Sequence, residues 1–310
     1  MPKGVTVAAS LNSSGALTRG DRLFGFKLTA PAGIILAVLL LVPTVLTILY
    51  SLHDVPAHGR SLGPFVGIEN YTIVLGSSVF WRSAWVTFVF SLGFVIFSTL
   101  FGLGMAILLN QRFVGRGLAR ALLIIPWATP WLVIGILWKW FADGSVGGLN
   151  AVLLMLGATS DYYDFMADPN SALVLTIVAA VWRQASFAGI LLLAGLQTLP
   201  DDLNEAASLD GANVFQRFRN ITLPWLKPAL VTVTVLNIIY AFLQFDVIFA
   251  MTQGGPGDAT QVLSILIYRQ LFGVTQIGLG SALAVILGFI ALAGGLLTVK
   301  LLYRAERQMA

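Results

Sequence analysis

Residues 83–109 read SAWVTFVFSLGFVIFSTLFGLGMAILL, a run without a charged residue. An α-helix needs about 20 apolar residues to cross the hydrocarbon core of a bilayer, and this run exceeds that length. Working outward, five further segments meet the same criterion: 29–51, 119–142, 171–196, 228–250 and 276–303. The third of the six spans, 119–142, contains Pro126 and Pro130. Each removes a backbone donor and crowds the preceding turn, so a break is expected there. The composition agrees, with 57% hydrophobic and 10% charged residues, against roughly a quarter charged in a soluble domain. The fold class expected is an all-α membrane protein with six transmembrane helices.

Lysine and arginine assign the sides. Lys3, Arg19, Arg22 and Lys27 precede the first span. Arg112, Arg116 and Arg120 lie between the second and third, Arg217, Arg219 and Lys227 between the fourth and fifth, and Lys300, Arg304 and Arg307 at the end. The opposite side holds only Arg60, Arg82, Lys139 and Arg269, and its 143–170 loop carries Asp143, Asp161, Asp164 and Asp168 with no basic residue. The positive-inside rule then places both termini in the cytoplasm, and the basic pI needs no nucleic-acid partner. Residues 1–28 read as a cytoplasmic tail leading into an uncleaved span, 29–303 as the membrane domain and 304–310 as a second short tail. The sequence has no cysteine and only two histidines, His53 and His58. Thiolate chemistry is excluded and a catalytic metal site is not expected.

One loop on the basic side is long enough to hold structure. Pro200 and Asp201 signal a helix start, and Asp202 and Glu205 are favourable near its N-terminus. Leu203, Ala206, Ala207 and Leu209 give it an apolar side, and Gly211 breaks it. A second helix is expected near 213–220, with Val214, Phe215 and Phe218 beside Arg217 and Arg219, ended by Pro224. Periodicity alone leaves two readings open: a helix pair that fills a groove on a partner protein, or an amphipathic segment resting on lipid headgroups.

Glu205-Ala206-Ala207, Asp210-Gly211-Ala212 and Ile221-x-Leu223-Pro224 resemble, in type and spacing, the EAA motif of ABC-importer permeases. Similarity to the carbohydrate and glycerol-phosphate branch of that family extends over most of residues 28–305. It includes Ala30-Pro31, Gly67-Ile68-Glu69-Asn70-Tyr71, Leu196-Gln197-Thr198-Leu199-Pro200, Thr252-Gln253-Gly254-Gly255-Pro256 and Tyr268-Arg269-Gln270-Leu271-Phe272. The Gly67–Tyr71 segment and the length of the first outer loop resemble the maltose F-type subunit, in a leaner six-span form, more than its G-type partner. The resemblance implies the type I ABC importer permease fold in the cell inner membrane, with residues 199–228 as the coupling loop. Glu205, Asp210 and Gly211 would orient and bend that loop. Ala206, Ala207, Leu209 and Phe215, with the Ile221, Leu223 and Pro224 end of the motif, would belong to the surface set against an ATPase. The implied partners are a second, G-type permease, two copies of an ABC ATPase, an extracellular or lipid-anchored substrate-binding protein and membrane lipid. The implied cargo is a sugar or a glycerophosphodiester-like solute. No lysine follows a glycine, so the phosphate-cradling loop of a P-loop ATPase is missing. ATP and Mg would therefore be bound by the partner, and this chain is read as a non-enzyme that needs no cofactor of its own.

Polar residues inside spans default to functional hypotheses. Asn237, Tyr240 and Gln244 are spaced to share one helical face. They are candidates to meet substrate hydroxyls, with Trp138 or Tyr240 stacking on a sugar face. The competing reading is helix–helix contact with the partner permease. Arg183 has two candidate roles, an ion pair with Asp246 or an anionic substrate. A membrane enzyme using Asp161, Asp164 and Asp168 as acid–base groups, or an ion-coupled carrier, would leave the EAA loop without a role.

Overall fold

The computed structural model describes residues 19–55 and 62–307. Lys3, His58, Arg60 and most of the expected N-terminal tail lie outside the described residues. The chain divides into two units, Met1–Leu49 and Tyr50–Ala310.

The first unit is carried by helix α1 (Arg19–Ser51). Its helix starts ten residues before the expected span, so residues 19–28 of the expected tail are helical. Over Phe26–Ser51 its mean hydropathy is 2.7. Thr44 and Thr47 donate their hydroxyls to the carbonyls of Leu40 and Pro43 at 2.7 and 2.8 Å, which satisfies polar groups locally in an apolar helix.

The second unit contains α2 (Glu69–Gly76), α3 (Ser78–Asn110), α4 (Arg116–Ala128), α5 (Trp131–Phe141), α6 (Gly148–Met155) and α7 (Pro169–Leu196). It continues with α8 (Asp201–Leu209), α9 (Val214–Arg217), α10 (Leu223–Phe242), α11 (Asp246–Met251), α12 (Leu263–Tyr268) and α13 (Ile277–Arg307). Among the described residues, five helices are long and apolar enough to span a membrane, or six if the bent pair α4–α5 counts as one. The bend between α4 and α5 is 99°, at the Pro130 break.

The core is the α3–α7 seam. Phe90 and Phe94 of α3 pack on Ala180, Val181 and Ala185 of α7, while Ala106 and Leu109 meet Ala188, Leu192 and Leu196. Small residues let the backbones approach closely, the packing expected where lipid gives helices no hydrophobic reason to associate. At Gly102 a Cβ would stand 2.5 Å from the Ala188 Cβ. The α10 residues Leu226 and Val233 complete the lower cluster, and α11, α12 and α13 close the other end.

Several polar side chains inside this core are paired, although the buried Ser91 and Ser98 hydroxyls of α3 have no partner among the described residues. Gln184 donates to the Asn237 Oδ1 at 2.7 Å, and the Asn237 amide donates to the Thr99 Oγ1 at 3.1 Å. One amide chain thus ties α7, α10 and α3. Gln261 donates to the Ser83 Oγ, and the Thr87 Oγ1 accepts from the Leu263 backbone N–H, anchoring α12 on α3.

Two boundaries differ from expectation. Pro224 does not end the second loop helix: Val214–Phe242 is one continuous helix of 29 residues. A π turn over Phe218–Thr222, in which the Leu223 N–H reaches the Phe218 carbonyl, widens the coil just ahead of Pro224. The wider turn makes room for the proline ring and leaves its missing N–H harmless. The fifth span also stops at Phe242 rather than 250, and Leu243–Phe245 form a turn before α11.

Candidate functional site: a bent helix pair and an aromatic wall

The α8–α9 corner is built by local rules. Gly211 adopts φ +80°, the left-handed conformation. Around it the Ala212 N–H bonds the Ala207 carbonyl at 2.9 Å and the Gly211 N–H the Ser208 carbonyl at 3.2 Å. That is the Schellman pattern, which uses up the orphan carbonyls at the end of α8. Two residues later Asn213 and Gln216 form a reciprocal capping box, at 2.9 Å from the Gln216 N–H to the Asn213 Oδ1 and 2.8 Å from the Asn213 N–H to the Gln216 Oε1. The sequence reading missed this device, although Asn-x-x-Gln after a glycine is its signature.

The corner presents an exposed apolar surface of this chain. Leu209 is 90% exposed, Val214 74% and Phe215 67%. Ala206 is exposed and Ala207 half-buried. Glu205 and Asp210 are exposed at its edge, and among the described residues their carboxylates form no hydrogen bond or ion pair. Ile221 is half-buried, and Leu223 and Pro224 are exposed on the helix that leads into the span. The base of the loop is fastened to neighbouring helix ends. Arg112 meets Asp201 at 3.4 Å in an exposed pair worth little energetically. Arg120 of α4 donates through Nε and Nη2 to the Leu109 carbonyl at 3.3 and 2.9 Å. With the Gln197 amide turned so that its oxygen meets these donors, Arg120 also reaches Gln197 at 3.0–3.1 Å.

The intramembrane candidates separate into distinct surroundings. Asn237 is fully buried and committed to Gln184 and Thr99, so it joins helices within this chain. Gln244 lies in the turn after α10, 5% exposed, with its backbone carbonyl accepting from Ser264 at 2.6 Å. It therefore does not continue the Asn237–Tyr240 helical face. Tyr240 is 42% exposed, and its ring stands 6.5 Å from Phe187 in a T-shaped contact. Phe187 in turn stacks on Trp127 at 6.0 Å. Trp138 meets Trp182 edge-on at 6.1 Å and shares with it a recess of about 450 Å3 that Met105, Pro126 and Ser186 also line. Trp127 and Phe187 were not singled out in the sequence, because an aromatic residue on a span has the same signature whether it faces lipid or a pathway.

Arg183 does not pair with Asp246. Its Nε donates to the Thr129 carbonyl at 2.9 Å, and its guanidinium lies 4.0 Å from the centroid of the Trp131 ring. The reason is the proline break. With the chain turning at Pro130, the Thr129 carbonyl has lost its helical partner, and Arg183 supplies the missing donor. Asp246 sits instead in the exposed first turn of α11.

The acids of the 143–170 loop hold turns. Asp143 accepts from the Ser145 and Val146 backbone N–H groups, which keep its carboxyl below the usual carboxylate range. Asp164 accepts from Met166 and Ala167, and Asp168 caps α7 by accepting from the Ser171 N–H at 2.8 Å. Among the described residues no group of three metal-ligating side chains forms. Beyond α11, Arg269 fastens the 252–262 loop through Asp258, Gln261 and the Gln253 carbonyl, and Arg82 reaches the Gly257 carbonyl.

Comparison with known proteins agrees with this geometry. The family described as binding-protein-dependent transport system inner membrane component matches residues 98–309. The trehalose/maltose transport system permease protein MalF of Thermococcus litoralis is 38% identical over 276 residues, covering 89% of this chain and 92% of that one. The sulfoquinovosyl glycerol transport system permease protein SmoG of Agrobacterium fabrum is 36% identical, covering 87% of each. In fold, the chain resembles a subunit of a crystallised bacterial ABC transporter that imports the acidic polysaccharide alginate. There the TM-score is 0.79 at 22% identity, over 92% of this chain and 96% of that one. The chain belongs to the family of binding-protein-dependent transport system inner membrane components and is a permease subunit of an ABC transporter.

Proposed function

We propose that this chain forms half of the translocation path for a sugar or sugar-like solute and is driven through residues 199–228 by a separate ATPase. The carrying observation is the α8–α9 corner, whose Leu209, Val214 and Phe215 stand bare on a bend fixed by Gly211 and a capping box. A surface that is apolar, convex and held rigid by local hydrogen bonds suits a groove on a partner protein. A lipid-resting segment has no use for the second helix continuing as a rod into the membrane. That rod, Val214–Phe242, is about 43 Å long at the usual helical rise and gives a displacement of the corner a direct route into the bundle.

In this reading the loop side is cytoplasmic, as are both termini, and ATP and Mg are held by two ATPase copies. A second permease faces the aromatic row of exposed Trp127, half-buried Phe187 and exposed Tyr240, and a binding protein delivers solute on the opposite side. Aromatic faces stack on the apolar faces of sugars, which suits that row to a carbohydrate path. The names of the relatives, which transport trehalose, maltose and sulfoquinovosyl glycerol, support the solute class. The test is reconstitution with the ATPase and binding protein in vesicles. Uptake should require ATP and persist after the proton gradient is collapsed. Uptake that follows the proton gradient would sink the proposal.

A further inference from the structure

Helix α4 is fastened to α7 at both of its ends, each time by an arginine. Near its start Arg120 donates to the Leu109 carbonyl in the last turn of α3 and, with the Gln197 amide turned as above, reaches Gln197, the residue directly after α7. At its end the Thr129 carbonyl is held by Arg183 from the middle of α7. Arg183 also covers the ring of Trp131, the first residue of α5. One side chain therefore grips both sides of the Pro130 break. Among the described residues, the only ion pairs are Arg112–Asp201 and Arg269–Asp258, so Arg183 spends its charge on a backbone carbonyl and an aromatic face. A cation in a span is costly. Here a flat guanidinium can donate in its plane while stacking on a ring, which an ammonium cannot do in the same way.

We propose that Arg183 is the positioning residue of the transport stroke. It fixes the α4–α5 bend to α7, so that α4 travels with α7 and α5 pivots at Pro130. Because α7 runs straight into the coupling loop, displacement of that loop reaches the bend, and with it Trp127 and Trp138, through this contact. The transmission half rests on the ATPase reading of residues 199–228, whereas the fixing of the bend does not.

The chain has no cysteine, so spin labels at Leu122→Cys on α4 and Ile136→Cys on α5, both outward-facing, report the bend directly. The whole transporter, with cysteine-free partner chains, would be placed in lipid nanodiscs. Its label–label distance would be measured by double electron–electron resonance without nucleotide, and transport per ATP hydrolysed in proteoliposomes. We expect a single narrow distance in the parent, and a broad or split distribution in Arg183→Leu that Arg183→Lys, which keeps the charge without the planar fork, narrows only in part. Transport per ATP should fall about tenfold or more in the leucine variant, the scale of one lost charged hydrogen bond, and recover only in part with lysine. If the leucine variant does not assemble, Trp131→Leu carries the same readings. An unchanged distance in the leucine variant overturns the proposal, as does broadening without loss of transport per ATP. Narrow distances in both variants, with uptake lost only for anionic solutes, would show instead that Arg183 pairs with the cargo. The nucleotide-free distance is independent of the ATPase contact, so a failure of that reading would be recognised separately.

Discussion

Replacing Gly211 isolates the α8–α9 corner more cleanly than any other substitution. Its φ of +80° lies where an L-residue is strained, yet a Cβ built there meets nothing within 4 Å. The penalty is therefore conformational, with no clash to confuse it. An ordinary side chain costs about 1–2 kcal/mol in the left-handed region, and a β-branched one belongs at or above the top of that range. A cost of 2 kcal/mol shifts the equilibrium by a factor of about 30 away from the bent corner and its two cap hydrogen bonds at Ser208 and Ala207. Nothing in the core touches this residue, so insertion and assembly should be unaffected. The expected series is Gly211→Asn near parental, because asparagine tolerates this conformation, Gly211→Ala intermediate, and Gly211→Val uncoupled. The assay is solute uptake and ATP hydrolysis measured on the same proteoliposomes, with co-purification of the ATPase as the assembly control. Valine at parental transport per ATP would refute the argument from φ, and asparagine as poor as valine would refute it equally.

Three further outcomes test the rest of the account. Asn213→Ala removes the capping box and should weaken the corner by about 1 kcal/mol, read as a modest loss of stimulated ATP hydrolysis that Asn213→Asp restores. Gly102→Val places a Cβ against Ala188 and should cost about 1–3 kcal/mol by overpacking, seen as a lower Tm of the assembled complex. Asn237→Leu strands Gln184 inside the bundle and should lower stability by about 1 kcal/mol, whereas Tyr240→Leu should alter uptake kinetics with the same Tm. A Tm loss in the tyrosine variant equal to that of Asn237→Leu would reassign Tyr240 to packing.

The spans were legible because a bilayer sets a length, and uncharged runs such as 83–109 declare themselves. The α8 start at Asp201 and the turn at Gly211 were legible because each rests on local chemistry. The misread positions depend on what the backbone does at a distance. Pro224 reads as a stop unless the π turn ahead of it is known. Gln244 has the spacing of a helical face, but the helix that would carry it ends at Phe242. Arg183 was expected to seek a carboxylate, and its partner is a carbonyl exposed by Pro130, an acceptor that no residue type marks. Asn237 has the sequence character of a pathway residue, yet its amide closes a chain between Gln184 and Thr99 that only tertiary packing brings together.

The claim at the centre is that the bare corner touches an ATPase. Its most direct measurement is a single Phe215→Cys, unique in this chain because the sequence has no other cysteine. The cysteine would be carried in the assembled transporter and coupled to a photoreactive maleimide. Illumination should give one adduct of this chain with the ATPase, in a yield that changes on adding ATP. Adducts with lipid alone, at the same yield with and without nucleotide, would contradict the account.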